Sequence, residues 1–209
     1  KFSQVQDDFT PRIDKFVIAP AKASATEVKP PVEKKDNIIS GVASAIKKVY
    51  GGKAFTLKAK GKGAITYTSG NKKVVTVGKT TGKVVIQGYG KATITVKAAG
   101  NNSYKSASKK VTVTVLPKKM KVSSVTSSKK KTLIVKWKKD AKADGYEIQY
   151  CLKKNFKSGA KIAAVKKGKN SITIKNLKAG KKYFVRIRAY KGSGKNKVCG
   201  AWSAAKKQK

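Results

Sequence analysis

The chain has 209 residues, of which 51 are basic and nine acidic, giving a formal net charge of +42. It contains no histidine, two cysteines and one methionine, which excludes imidazole-based acid/base catalysis, imidazole metal sites and a disulfide scaffold. No apolar run approaches the ~20 residues that a bilayer core demands, so no membrane span is expected.

The charge is unevenly distributed. Six of the nine acids (Asp7, Asp8, Asp14, Glu27, Glu33 and Asp36) lie in the first 36 residues, whereas the other 173 residues carry 44 bases against Asp140, Asp144 and Glu147. Only Arg12, Arg186 and Arg188 are arginines. The surface is therefore one of hydrated lysine point charges rather than of the planar forks that read phosphates and bases in pairs.

The sequence starts on Lys1 without a secretory signal, because its most apolar early stretch, Phe16–Ala19, is too short. It reads as a fragment or a processed chain. Residues 20–37 (APAKASATEVKPPVEKKD) are rich in Pro, Ala and charge and are expected to be an extended linker. Residues 1–37 together read as a linker or the remnant of an upstream domain.

From Ile38 onward, short β-branched runs alternate with lysine, threonine or glycine. TLKAK (56–60), AITYT (64–68), VVTV (74–77), KVVIQ (83–87), ATITVKA (92–98) and KVTVTV (110–115) have the period of two of half-buried strands, separated by glycine-rich turns. Ala92, Ile94 and Val96 should share one face, and Val111, Val113 and Val115 another. The nearest helical candidate, Ala43–Val49, is short and meets Gly51-Gly52. Pro117 opens a second block, with strands expected at 132–137, 145–150, 171–176 and 182–190 and a weak last one near 201–205. Two blocks of ~80–90 residues fit two small all-β domains.

These residues carry a resemblance. Residues 38–116 resemble the bacterial Ig-like domain, group 2, through Tyr67, Ser69, Asn71, Val75, Val77, Gly82, Val84, Gly88, Gly90, Ile94 and Val96. Tyr67 stands where that family often has tryptophan. Residues 117–209 resemble a fibronectin type III domain. Trp137 is placed as its core tryptophan, Tyr146, Ile148 and Tyr150 as inward residues of the third strand, and Leu177, Gly180 and Tyr183 as the tyrosine corner. Gly200-Ala201-Trp202-Ser203 resembles the start of the last strand. The resemblance implies an all-β chain of two tandem sandwiches after the N-terminal linker. It also implies a non-catalytic modular part of a secreted or cell-surface protein, like the lysine-rich tails of Gram-positive surface proteins.

Candidate chemistry is sparse. Asp140 and Asp144 are expected in the loop between the second and third strands of the second block, as turn residues pairing with lysines. Cys151 and Cys199 map near opposite ends of the sandwich, too far apart to meet the ~7 Å a bridge needs, and are read as free thiols. The loop Lys191–Lys197 lacks the strand–loop–helix setting of a phosphate loop and reads as a hairpin turn. Tyr50, Tyr89, Tyr104, Tyr190 and Trp202 are candidates for exposed aromatics. No catalytic residue, metal site, cofactor or homo-oligomer is implied.

Lys58, Lys60, Lys97, Lys136, Lys138 and Lys175 should line solvated strand faces, where they also discourage edge-to-edge pairing. A net charge this one-sided repels itself and points to an anionic setting. The reading is a spacer that attaches to anionic cell-envelope polymers or glycans, with non-specific nucleic-acid binding in vitro. The alternative is a carbohydrate-binding or adhesin module that recognises a host or dietary glycan.

Overall fold

A computed structural model describes residues 32–127 and 129–209. The linker reading of residues 20–31 lies outside the described residues. Backbone pairing begins before Ile38: Lys35 bridges to Tyr104, and the Asn37 side chain bonds the Lys62 backbone at 2.7 and 2.9 Å.

The chain is all-β, built as two sandwiches. In the first, β1 (Ala45–Val49), β7 (Ala107–Leu116), β6 (Gly90–Ala98) and β3 (Ile65–Ser69) form one sheet in that order. β2 (Phe55–Thr56), β5 (Lys83–Ile86) and β4 (Val75–Val77) form the facing sheet. The β6–β7 register sets Ile94 opposite Val111 and Ala92 opposite Val113, and Thr93 meets Thr112 on the other face. The alternation thus sends Ile94, Val96, Val111, Val113 and Val115 into a core where they are fully buried. Each such side chain contributes about 1.5–3 kcal/mol.

Tyr67 is fastened in this core by its hydroxyl, which donates to the Leu57 carbonyl at 3.0 Å and accepts from the Ala59 N–H at 3.1 Å. Gly88 and Gly90 make the turn from β5 to β6. A Cβ on Gly88 would lie 2.6 Å from the Lys73 carbonyl oxygen, and Gly90 holds φ at 128°.

The helical candidate at 43–49 is instead strand β1, paired parallel with β7. The free edge of β7 offers a hydrogen-bond ladder, and Ile46 packs against the core there. Tertiary pairing outweighs a weak local preference.

The second sandwich joins a sheet of β12 (Ser171–Ile174), β9 (Leu133–Trp137) and β8 (Val122–Thr126) to one of β11 (Lys161–Lys166), β10 (Gly145–Cys151), β13 (Phe184–Lys191) and β14 (Val198–Cys199). A short β15 (Lys206–Lys207) also pairs with β13. Trp137 and Tyr146 meet in the core at 5.3 Å between ring centroids. Val185, Ile187 and Ala189 are buried beside them. Tyr150 packs at the margin of that core, half-buried. Leu177 is buried, Gly180 takes φ 65° in the turn before β13, and the Tyr183 hydroxyl accepts the Lys178 N–H at 3.2 Å.

β8 and β11 have no counterpart in the expected strands. A bulge between Val122 and Ser124 breaks the period of two in β8, so its buried valines fall three apart. β11 is an edge strand that buries only Val165 and leaves Ile162 53% exposed. The last strand lies at Lys206–Lys207 rather than near 201–205. The segment before it follows β13 through single contacts: the Ser203 N–H donates to the Ile187 carbonyl, and its hydroxyl accepts the Ile187 N–H.

Candidate anion-binding cleft

The acids of the second sandwich are engaged as structural fasteners. Asp144 ends the loop between β9 and β10. Its carboxylate receives the Lys191 ammonium at 2.7 Å and the Gly192 N–H at 2.9 Å. These bonds, that of Lys191 foremost, hold its carboxyl below the ordinary range despite some burial. Glu147 lies on β10 and is 8% exposed. Burial alone would raise its pKa, but hydrogen bonds from Lys197 and Arg188 prevail and lower it. Lys197 is raised in turn by the same partner. The loop 191–197 is therefore pinned at both ends by carboxylates, which leaves it shaped as a turn between β13 and β14, with one 3-10 turn at Gly194–Asn196.

The two described arginines lie side by side against one aromatic cluster. Arg186 and Arg188 alternate on the outer face of β13, and both lie over the Trp202 ring, at 5.0 and 4.2 Å from its centroid. Arg186 also covers Phe156 at 4.3 Å and bonds Gln149, and Arg188 bonds Glu147 at 2.7 Å. A flat guanidinium can stack on an indole and hold an acceptor with its edge at the same time. Burial, followed by the neighbouring Arg188 charge, lowers the Arg186 pKa.

The other candidate aromatics are also occupied. Lys62 lies over Tyr104 at 5.7 Å and Lys197 over Tyr190 at 4.3 Å. Cys151 is buried, with its thiol directed at the Ser158 carbonyl at 3.2 Å, and Cys151 and Cys199 are both free. They lie on β10 and β14, on either side of β13.

Asp140 has a partner that no reading of one domain could supply. Its carboxylate accepts the Tyr89 hydroxyl of the first sandwich at 2.6 Å. Its other oxygen takes the Lys142 N–H at 3.0 Å, and its backbone N–H donates to the Tyr146 hydroxyl at 2.8 Å. Tyr89 is 5% exposed, and burial, then its bond to Asp140, pushes the phenol pKa well up, so it stays a neutral donor. A second bond between the sandwiches runs from the Lys91 ammonium to the Lys195 carbonyl at 3.0 Å.

This junction forms a cleft of about 680 Å³. Tyr50 and Tyr89 make one wall, packed edge to face at 5.1 Å. Lys118, Lys119 and Lys121 enter from the connection between β7 and β8, and Lys138, Lys139 and Lys142 from the loop after β9. Lys118 and Lys142 lie over the Tyr50 ring at 5.7 and 5.3 Å. One carboxylate, Asp140, faces these six ammonium groups, and it is already bound to Tyr89. None of the six makes an ion pair among the described residues.

Sequence reading placed Asp140 in its loop and named both tyrosines, but not their meeting. The available signal was the pair of clustered runs, Lys118-Lys119-Met120-Lys121 and Lys138-Lys139-Asp140-Ala141-Lys142.

The solved structures similar to this chain include the following two. The FN1–FN3 domains of chicken CNTN1 match at 19% identity and TM-score 0.40, over 69% of this chain and 56% of that one. A Fn3-like protein from Clostridium thermocellum matches at 18% identity and TM-score 0.35, over 43% of this chain and 86% of that one. This chain thus spans little more than half of the chicken structure. No curated protein is significantly similar to it. Among the described residues, no helix is long and apolar enough to cross a membrane. The second sandwich, over residues 116–199, matches the family model of the fibronectin type III domain, a module common in extracellular proteins and generally non-catalytic.

Proposed function

We propose that the chain is a non-catalytic part of a secreted or cell-surface bacterial protein, a spacer that also holds its parent protein to anionic cell-envelope polymers. In this reading residues 38–116 are a bacterial Ig-like domain of group 2, residues 117–209 a fibronectin type III domain, and the setting a Gram-positive surface. The observation that supports it is the state of the lysines. No lysine is buried among the described residues, and only Lys105, Lys191 and Lys197 join an ion pair.

Cations without a protein anion beside them repel one another. Ordinary solubility needs a net charge of only ~2–8 for a small domain. An anionic polymer at the surface relieves the repulsion, and release of its counterions drives the attachment.

The test is sedimentation of the purified chain with Gram-positive cell walls across a salt series, using walls with and without their teichoic polymers. Binding that requires the polymer and fades above physiological salt supports attachment. Indifference to walls at physiological salt, or retention on a neutral polysaccharide in high salt, refutes it.

A further inference from the structure

We infer that the cleft between the two sandwiches is a discrete seat for a single flexible chain carrying a phosphate on each repeat. This rests on the attachment reading above and assigns it a place. Three features of the cleft lead there.

The first is the gathering of charge. Lys118, Lys138 and Lys142 converge on one recess from two separate segments, with Asp140 turned toward Tyr89. Ammonium groups gathered in this way repel one another, and the arrangement becomes favourable once an anion sits among them.

The second is the kind of cation. The cleft is lined by lysines without an arginine, whereas on β13 arginine stacks over Trp202. Ammonium groups bind phosphate as compact hydrated point charges that impose no fixed fork geometry, which suits a flexible chain whose phosphates present no single orientation.

The third is the state of the aromatics. Nucleobases and sugar rings are held by stacking on an open aromatic face. Tyr50 already carries Lys118 and Lys142, and Tyr89 is buried against Asp140 and the edge of Tyr50. With no platform to offer a base, the cleft favours a polymer recognised by its phosphates alone. Because its walls come from both sandwiches, the bound chain also braces the junction that Tyr89 and Asp140 make.

The experiment uses the full 209-residue chain at physiological salt, with long-chain polyphosphate and poly(glycerol phosphate) as probes and single-stranded DNA and heparin as competitors. A cleft variant, K118Q/K138Q/K142Q, is compared with a surface variant of equal charge, K58Q/K97Q/K136Q, whose lysines are exposed outside the cleft lining. Thermal unfolding of each variant confirms that it folds.

The expected result is a loss of roughly 10–50-fold for the cleft variant and no more than ~3-fold for the surface variant, with K118R/K138R/K142R retaining affinity. Equal losses in the two glutamine variants overturn the seat and leave diffuse attachment standing. Failure of the wild-type chain to bind either phosphate polymer overturns the attachment reading as well. Stronger competition from DNA or heparin than from poly(glycerol phosphate) overturns the assignment of the ligand.

Discussion

Substituting Glu147 by glutamine tests the electrostatic framework of the second sandwich. The carboxylate is nearly buried. One oxygen receives Arg188 Nε and Nη2 at 2.7 and 2.6 Å, and the other receives Lys197. Glutamine retains the size and one acceptor but presents its amide N–H groups to the second cation. Each charge-assisted bond contributes about 1.5–3 kcal/mol net. The Arg188 and Lys197 side chains are 27% and 33% exposed, so water recovers part of their solvation. The discounted loss is about 2–4 kcal/mol. In a sandwich of this size each kcal/mol lowers Tm by about 4–8 °C, so E147Q should unfold at least ~8 °C earlier. Scanning calorimetry at pH 7, supported by urea titration, reads the shift. Adding R188M should recover part of it by removing the stranded cation. A Tm for E147Q within ~2 °C of wild type would refute the claim that this carboxylate neutralises two partly buried cations.

Three further outcomes are expected. Y183F removes the hydroxyl that accepts the Lys178 N–H and should destabilise the second sandwich by about 1 kcal/mol, measured by urea unfolding; an unchanged midpoint would show that the bond contributes nothing. Stability should have two pH limbs. Asp144 and Glu147 are depressed in the folded chain, so their contribution is present above the unfolded carboxylate values near ~4 and is lost as pH falls through the folded ones. Tyr89 is raised, so its contribution holds up to ~10 and is lost as pH climbs beyond; Y89F should therefore flatten the alkaline limb in a pH series of unfolding curves, and a limb of unaltered slope would count against it. Finally, with a net charge of +42, self-repulsion should outweigh the few ion pairs, so Tm should rise between low salt and ~0.5 M NaCl; a falling Tm would reverse that ranking.

Much of the fold was legible in the chain's own alternation. Ile94, Val96, Val111, Val113 and Val115 announce a buried face because a period of two admits one inward side per strand. β8 was not legible, since its bulge resets the period, and neither was β11, an edge strand with little to bury. β1 carried too weak a pattern to be recognised without the edge of β7 beside it.

The lysine excess, the absence of histidine and the place of Asp140 in its loop were determined by sequence alone. Tertiary structure alone decided which charges meet. Tyr89 and Asp140 are 51 positions apart and belong to different sandwiches, so their bond, and the cleft around it, exist only where the two folded surfaces touch. The arginines show the same division. Composition revealed how few they are, but only the register of β13 against the Trp202 segment sets the described pair over one indole ring. A side chain's type is local information, whereas its partner depends on the path of the whole backbone.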